Sequence, residues 1–336
     1  METCRIPAGY ASPIDIRGTE IAIKEIKDFF ERDLARELNL IRVSAPLMVR
    51  EHSGLNDTLN GVERPVRFDL AEDLGENVEI VQSLAKWKRM ALARYGFHPG
   101  EGLYTDMTAI RRDDDIDNIH SIYVDQWDWE RIILREERTE ETLRSLVQGV
   151  YASLKRTEGF VASCYEWAKP ILPDQITFLT SQQLEDAYPT LAPKQREYAA
   201  TKEHGAVFVS QIGGALASGE RHGGRAPDYD DWSLNGDILV YYPLLDMELE
   251  LSSMGIRVDE EALLRQLKIC GCCERASLPF HAALMRGELP YTAGGGIGQS
   301  RMCMFFLNKA HIGEVHAAVW PKGTEEACAA AGVALL

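Results

Sequence analysis

Apolar and polar positions recur along the chain with two periodicities, one typical of helices and one typical of strands. Residues 19–38 carry an apolar side chain every three or four positions, which predicts an amphipathic helix with Thr19 as its N-cap. Residues 41–49 predict a strand that contains Pro46, and because proline cannot donate to a sheet ladder we expect this strand at a sheet edge or a subunit contact. Residues 83–95 predict a second helix, which begins at a serine and ends before a glycine.

Further segments predict a sheet and more helices. Alternating or β-rich stretches predict strands at 65–70, 78–82, 102–110, 120–130, 176–180, 206–212, 237–242 and 247–253. Helical spacing predicts helices at 138–167, 259–269 and 278–287. Several strands follow one another as hairpins and not as βαβ units, so we expect an α+β fold with a mostly antiparallel sheet. No internal repeat or low-complexity linker divides the chain, so residues 1–336 are predicted to form a single domain with a core over about 19–325.

Composition and charge narrow the class of protein. Of the 336 residues, 45% are apolar and 26% are charged, which is enough to bury a core. We find no run of about 18 apolar residues and no apolar signal segment at the N-terminus, so a cytoplasmic protein without a membrane partner is expected. Lys and Arg number 36 against 52 Asp and Glu, and this net charge of −16 argues against nucleic acid as an obligate partner. Cys270, Cys272 and Cys273 have no second Cys or His pair nearby, so reduced thiols are expected and not a zinc site.

The strand predicted at 120–130 carries the first candidate chemistry. Alternation places Gln126, Asp128 and Glu130 on one face and Trp127 and Trp129 on the other. A solvated face would explain the polar side chains, but tryptophans opposite them indicate a buried sheet. Polar groups on one side of a buried sheet usually line a pocket, so we expect a site here.

A pair of acids on neighbouring strands is the second candidate. Antiparallel pairing of 237–242 with 247–253 would bring Asp237 close to Glu250, with Ser252 and Met254 predicted on the same face as Glu250. Two adjacent carboxylates repel each other unless a cation lies between them, and hard oxygen ligands suit Mg²⁺. Two unrelated surface acids remain the alternative.

Glycines and arginines provide the last candidates. The run GGGIGQSR at 294–301 lacks the lysine of a phosphate-binding P-loop and the setting of a dinucleotide fingerprint, so on its own it indicates close packing of a helix onto a sheet. Arg301 opens that helix and is suited to stacking on a base or holding phosphate. Arg111 ends a predicted strand and is suited to bidentate phosphate binding, with a surface ion pair to Asp113, Asp114 or Asp115 as the alternative.

The order of these motifs is specific, although each alone is weak. The chain carries, in sequence, SLAKWKR, GEGLYT, YVDQWDWER, RAPDYDDWS, LNGDILV, ELSSMGIRV and GGGIGQSR. The arrangement resembles motifs one, two and three of the class II aminoacyl-tRNA synthetases. It is most similar to the ammonia-dependent asparagine synthetases, or aspartate–ammonia ligases, from about residue 20 to 320.

The resemblance implies a fold and a reaction. The fold would be a class II synthetase-like core, assembled as a homodimer with Pro46 near the interface. In the reaction, L-aspartate and ATP with Mg²⁺ would give β-aspartyl-AMP and pyrophosphate. Ammonia would then displace AMP to give L-asparagine.

The resemblance also implies roles for residues at matching motif positions. Arg111 would contact the α-phosphate, Arg301 would stack on adenine or hold the ATP phosphates, and Asp237 and Glu250 would hold Mg²⁺. Asp57 is the candidate to accept a proton from ammonia, although which acid does so is left open. Residues implied in the amino-acid pocket are Asp57, Lys88, Gln126, Asp128, Asp230 and Arg257. The ATP site would also include Glu250, Ser252 and Gly296, with Ser252 and Ser253 between the two subsites. Arg111, Arg301, Asp57 and Lys88 are the predicted catalytic residues.

The sequence departs from the family pattern at two places. Gln82 stands where the family motif HSLAKWKR has its histidine, so the role of that imidazole is absent or differently filled. The connection at 232–236 is short, which leaves the motif residues in place but affects any lid over the site.

Two other readings of the function compete. A true aspartyl- or asparaginyl-tRNA synthetase would need an anticodon-binding domain, and only about 18 residues precede the first predicted helix. A non-catalytic sensor of aspartate or nucleotide would have been favoured by loss of Arg111, Arg301 or the Asp237 and Glu250 pair, all of which are present.

Overall fold

The computed structural model describes residues 4–59, 61 and 63–336, except for the side chains of residues 73 and 74. Its first helix, α1, spans Ile16–Leu38, three residues longer than predicted. The N-cap prediction was wrong, because Asp15 and not Thr19 caps this helix by accepting a hydrogen bond from the Gly18 amide at 2.7 Å. Thr19 lies buried within the first turn, where its hydroxyl accepts from Lys309.

The single strand predicted at 41–49 was also wrong. Two short strands, β1 (Leu40–Arg42) and β2 (Met48–Arg50), flank Pro46 and belong to different sheets. Proline offers no amide hydrogen to a ladder, so the extended chain breaks around it. The edge position was predicted correctly for β1, which is the outermost strand of the larger sheet.

The remaining elements agree with the predicted order and differ mostly at their ends. The other strands are β3 (Arg67–Leu70), β4 (Asp73–Ile80), β5 (Gly102–Ile110), β6 (Tyr123–Ile132), β7 (Thr177–Thr180), β8 (Ala206–Ser210), β9 (Asp230–Tyr242), β10 (Met247–Arg257) and β11 (Thr292–Gly298). The other helices are α2 (Ala85–Tyr95), α3 (Glu140–Cys164), α4 (Ser181–Ala187), α5 (Pro193–His204), α6 (Glu260–Cys270), α7 (Pro279–Met285), α8 (Gln299–Phe306) and α9 (Lys322–Ala330). Strand β9 begins seven residues before the predicted start at Asp237, so the short connection at 232–236 is continuous strand and not a lid.

Eight strands of the described chain form one twisted sheet in the order β1-β5-β6-β11-β10-β9-β8-β7. Only the outer pairs, β1 with β5 and β7 with β8, are parallel, whereas the inner pairs are antiparallel. A second, three-stranded antiparallel sheet has the order β2-β4-β3. The predicted α+β fold with a mostly antiparallel sheet is thus confirmed.

Helices cover both faces of the large sheet. On one face α1, α3 and α8 pack over Trp127 and Trp129 in the largest apolar cluster. On the other face α2, α6 and α7 pack over Leu103, Met107 and Ile132 in a second cluster. None of the helices in the described part of the chain is long and apolar enough to cross a membrane. The polar side chains of the central strands lie on the second face and therefore meet a cavity under α2.

Candidate active site

A cavity of about 240 Å³ opens over the central strands β6, β11 and β10 and is called the first cavity below. Ten residues predicted for the site line it: Asp57, Lys88, Arg111, Gln126, Asp128, Asp230, Glu250, Ser253, Arg257 and Gly296. They come from segments spread over two hundred residues, which the sheet register brings together.

Strand β6 supplies the floor of this cavity through its alternation. Gln126 and Asp128 line the cavity, while Trp127 and Trp129 are buried in the opposite core, as the sequence predicted. Trp127 packs against Phe30 of α1 with ring centroids 4.9 Å apart. Burial of the tryptophans therefore fixes which face of β6 presents its polar side chains to the site.

The glycine run lets β11 lie against the polar face of β6. A Cβ on Gly296 would be 2.5 Å from Oε1 of Gln126, and one on Gly294 would be 2.0 Å from Oε2 of Glu130. Real Cβ atoms do not approach oxygen so closely. At Gly294 a Cβ would also be 2.6 Å from the backbone carbonyl oxygen of Trp129, so this position needs glycine, whereas at Gly296 the side chains of Gln126 and Asp128 would have to move. The run thus serves close packing of strand β11 against β6 and not, as predicted, of a helix onto the sheet, and this packing leaves room for charged side chains between two central strands.

Those charges form a buried network around Arg257. Its guanidinium donates to both carboxylate oxygens of Glu130 and also pairs with Asp230. All three side chains are at most 3% exposed. Burial disfavours the charged guanidinium, but Glu130 and Asp230 outweigh it and raise the pKa of Arg257. Burial also raises the pKa of Asp230 despite the attraction of Arg257.

Lys88 extends this network towards the cavity. Its ammonium lies 3.2 Å from Oδ2 of Asp128 and donates to the carbonyl oxygens of Trp129 and Gly295 at 3.0 Å each. The side chain is 1% exposed, and burial lowers the pKa of Lys88 below its usual range. A fully buried lysine held by three oxygens is a fixed positive point at the wall of the cavity.

The predicted metal pair adjoins the cavity. Asp237 and Glu250 lie on the paired strands β9 and β10. Burial raises the pKa of Asp237, and the nearby Glu250 raises it further against the opposing effect of Arg225, with which Asp237 forms an ion pair. Oδ1 of Asp237 is buried without a hydrogen-bond partner among the described residues. An unpartnered carboxylate oxygen beside a second carboxylate fits a hard divalent cation such as Mg²⁺.

The prediction that Glu250, Ser252 and Met254 share one face of β10 was wrong for the residues after Glu250. The register shifts between Glu250, opposite Leu239, and Ser252, opposite Ile238, so a β-bulge interrupts the alternation. In consequence Ser253 lines the first cavity together with Glu250, whereas Ser252 and Met254 turn into the interior. The binding role of Ser252 stays a prediction. Ser252 and Asp237 are the predicted site residues that line neither the first cavity nor the second cavity described next.

A second cavity of about 200 Å³ continues from the first along β11 and β6. Arg111, Gln126, Glu250 and Gly296 line both cavities, and Arg301 lines the second. Arg111 is oriented by its Nε, which donates to the Gln82 carbonyl at 3.1 Å. Arg301 is held by the carbonyls of Ile119 and Glu250 at 3.3 and 3.1 Å. The alternative for Arg111, a surface ion pair with one of the acids at 113–115, is not found among the described residues, and Asp113 pairs with Arg64.

Asp57 lines the first cavity but not the second, which is lined by Arg301. It is 3% exposed, and burial raises its pKa above the usual value for an aspartate. Gln82 lies directly behind it, completely buried, and donates from Nε2 to the Asp57 carbonyl at 2.9 Å. The residue that departs from the family pattern thus supports the predicted proton acceptor.

Sequence reasoning missed several residues of the site. Arg225, Tyr229 and Ser83 line the first cavity, and His120 lines the second. The motif RAPDYDDWS begins at Arg225, so an arginine at the head of a motif with three acids was the available signal. Ser83 and His120 carried no pattern of their own, because only the tertiary fold brings them to the cavity.

Comparison with known proteins places this geometry in a family. Residues 17–332 match the family described as aspartate–ammonia ligase. A protein of Clostridium perfringens named aspartate–ammonia ligase is 62% identical over 336 residues, which is 100% of both chains. A protein of the same name from Ruminiclostridium cellulolyticum is 61% identical over 330 residues, covering 98% of each chain.

Solved structures show the wider fold. The asparaginyl-tRNA synthetase of Pyrococcus horikoshii complexed with asparaginyl-adenylate superposes with a TM-score of 0.63 at 14% identity, over 91% of this chain and 71% of that one. The asparaginyl-tRNA synthetase of Entamoeba histolytica gives 0.60 at 14% identity, over 90% of this chain and 66% of that one. These likenesses show the class II synthetase fold alone. The family match and the full-length relatives above establish that the chain belongs to the aspartate–ammonia ligase family, enzymes that form asparagine from aspartate and ammonia.

Proposed function

We propose that the chain makes L-asparagine in two steps through β-aspartyl-AMP, with AMP and pyrophosphate as the other products. One observation supports this most strongly: Arg111 lines both the first and the second cavity. An arginine at their junction is placed to contact the α-phosphate of ATP when aspartate occupies the first cavity and the nucleotide the second.

In the first step an oxygen of the aspartate β-carboxylate attacks the α-phosphorus, and pyrophosphate leaves. Arg111 and Arg301 then stabilise the charge that develops on the phosphoryl oxygens, which is the larger part of catalysis in such a transfer. When bound by Asp237 and Glu250, Mg²⁺ would supply further charge neutralisation at the phosphates. Arg225 pairs with Asp237 and fixes the position of that carboxylate.

Recognition of aspartate follows from the donors and acceptors that remain free. Arg257 has five N–H groups, and its bonds to Glu130 and Asp230 leave hydrogens for a substrate carboxylate. Lys88 is a second cation on the same wall. Oδ1 of Asp128 is buried, faces Gly296 and has no partner in the described part of the chain, so it is suited to accept from the substrate ammonium.

In the second step ammonia attacks the β-carbonyl carbon, the bond to the phosphate oxygen breaks and AMP leaves. The attacking nitrogen must lose a proton to become the amide. Asp57 is the proposed acceptor, since its raised pKa makes the carboxylate a better base than an exposed aspartate.

An isotope experiment tests the intermediate. Aspartate labelled with ¹⁸O in the β-carboxylate should transfer one label to the phosphate of AMP, because the attacking oxygen stays with AMP when ammonia displaces it. Label in inorganic phosphate, with ADP as the nucleotide product, would show β-aspartyl phosphate instead and contradict the proposal.

The oligomeric state, the cellular location and the partners of the protein belong to the same proposal. A homodimer in the cytoplasm that needs no nucleic acid remains the prediction of the sequence, with L-aspartate, ATP and ammonia as the small-molecule partners. The asparaginyl-tRNA synthetases share its fold at 14% identity, which carries no argument for tRNA charging.

A further inference from the structure

A third cavity, of about 270 Å³, adjoins the first cavity at Asp57 and shares no lining residue with the second cavity, where Arg301 lies. Asp57 and Glu63 line both this cavity and the first one, so Asp57 stands between the two. The outer rim includes Arg67, whose side chain is 48% exposed, whereas the inner wall includes Gln82 and His281, which are fully buried. The third cavity therefore leads from the surface to Asp57, the proposed proton acceptor, without passing through the second cavity, where the nucleotide is proposed to bind.

The inner wall presents acceptors that lack donors. Oε1 of Gln82, Oδ1 of Asp228 and Nδ1 of His281 are all buried, and none has a hydrogen-bond partner among the residues described. The orientation of Gln82 follows from its Nε2, which donates to the Asp57 carbonyl. Three unpartnered acceptors on one buried wall are costly unless a ligand with several donors satisfies them.

Nδ1 of His281 is an acceptor because of its partner on the other side of the ring. Nε2 lies 2.9 Å from Oδ2 of Asp228, and Lys86 donates to the same oxygen at 2.9 Å. Lys86 and His281 lower the pKa of Asp228 although burial opposes them, so this carboxylate is ionised. Nε2 therefore carries the hydrogen directed at Oδ2, and in the neutral imidazole Nδ1 is then the acceptor.

The wall of the third cavity carries a surplus of negative charge, which attracts a cation. Among the described residues, five carboxylates line the third cavity against the three cations Arg67, Lys86 and Arg275. Arg275 is engaged with Thr58 at 2.9 Å, and Lys86 with Asp228. A small cation entering from the rim is thus drawn inward to the unpartnered acceptors.

We propose that this third cavity is the ammonium site of the enzyme, in which Gln82, Asp228 and His281 bind NH₄⁺ beside Asp57. Ammonium has four donors and no acceptor, which is the complement of the wall. The inference rests on the proposed function, because it supplies that reaction with its nitrogen. The bound ion first loses one proton to solvent through the exposed rim of the third cavity and becomes ammonia, and the second proton passes to Asp57 as the amide forms. Gln82, which replaces the family histidine, then contributes an acceptor to this site.

Assays of the two half-reactions test this site independently of the sites for aspartate and ATP. Exchange of pyrophosphate into ATP requires aspartate but no ammonium, so loss of one acceptor in the third cavity leaves the exchange rate within about twofold of wild type. In Gln82→Leu and His281→Phe the KM for ammonium rises about tenfold, as expected for one hydrogen bond to a charged group. His311→Gln is the matched control: His311 is also fully buried with an unpartnered ring nitrogen, but it lines none of the three cavities, and its KM for ammonium stays at the wild-type value.

Hydroxylamine as the nucleophile tests whether the variants lose recognition of the ammonium charge or instead have a third cavity of altered shape. It is uncharged near pH 7.5 and acts as a nucleophile in place of ammonia, so its KM changes less than about threefold in the two variants. Three results would each overturn the ammonium site. The first is an equal increase in KM for ammonium and for hydroxylamine, and the second is a parallel loss of pyrophosphate exchange in variants that remain folded. The third is an unchanged KM for ammonium in both variants.

Wild-type enzyme decides the question if both variants fail to fold. Ammonia stays almost wholly protonated between pH 7 and 8, as a lysine does, so the KM for total ammonia is flat over this range if ammonium binds. A KM that falls about tenfold per pH unit shows that neutral ammonia binds, and overturns the inference. Wild-type enzyme that forms no asparagine from ammonium would refute the proposed function itself, whereas normal synthesis with any of the overturning results refutes the ammonium site alone.

Discussion

Arg257 donates from Nε to Oε1 of Glu130 at 3.0 Å and from Nη2 to Oε2 at 2.7 Å, with both side chains at most 3% exposed. Thr292 donates to the same carboxylate at 2.7 Å. This pair joins β6 to β10 across the glycines of β11, and it orients the arginine proposed to bind aspartate. The stability of the sheet and the recognition of substrate therefore depend on one buried ion pair.

Removal of Glu130 should destabilise the protein strongly. In Glu130→Ala the guanidinium of Arg257 loses its main partner inside the sheet, and we expect a loss of about 3–5 kcal/mol in the free energy of unfolding, measured by urea denaturation. The control is Glu288→Ala, since Glu288 makes a bidentate pair with Arg286 of similar geometry but with both side chains more than half exposed. That variant should lose less than about 1 kcal/mol, and equal losses in the two variants would contradict the weight given to burial.

Arg111 should be needed for adenylation and not for folding. Arg111→Ala removes a donor from the junction of the first two cavities, and we expect AMP formation to fall about 10²–10³-fold while the thermal midpoint stays near that of wild type. The neighbouring Arg112→Ala serves as control, because Arg112 is 47% exposed and lines neither cavity. Unchanged AMP release in Arg111→Ala would count against the role assigned to it.

The affinity for Mg²⁺ should weaken as the pH falls. A cation binds the deprotonated form of Asp237, and burial with the nearby Glu250 raises the pKa of this carboxyl, so protons compete with the metal already in mildly acidic solution. Titrations of activity with Mg²⁺ should give a half-saturating concentration that rises on going from pH 8 to pH 6. Asp237→Asn should raise that concentration and remove most of its pH dependence, and a pH dependence that is equally steep in the variant would exclude Asp237 as its source.

Asp57 should act only in the second step. In Asp57→Asn the carboxylate that accepts the proton is lost while the shape is kept, so asparagine formation should fall about 10²-fold or more. Pyrophosphate exchange without ammonium should remain close to wild type, since Asp57 does not line the second cavity, where the nucleotide is proposed to bind. A parallel fall in both assays would place Asp57 in aspartate binding.

Local pattern was enough to predict the parts of the site that depend on one strand. The alternation of β6 correctly separated Gln126 and Asp128 from Trp127 and Trp129, because a side chain on a strand points to a face set by its own position. The same reasoning was wrong for Ser252, since a bulge adds a residue that no local pattern announces. Pro46 marked an edge correctly but also divided the predicted strand in two.

The third cavity depends on contacts that sequence reasoning cannot reach. Asp228 and His281 are 53 residues apart, and Gln82 comes from a third segment of the chain. Their meeting follows from the packing of α2 and α7 on one face of the sheet. Arg225 was missed for a similar reason, because its significance lies in the ion pair with Asp237, twelve residues further on.

The most direct test of the account is a substrate-omission assay on the purified protein. With aspartate, ATP, Mg²⁺ and ammonium, and without tRNA, we predict that asparagine, AMP and pyrophosphate appear in equal amounts. Omission of aspartate, ATP or ammonium should each abolish asparagine formation. Production of ADP in place of AMP, or product that appears only as aminoacyl-tRNA when tRNA is added, would contradict the account.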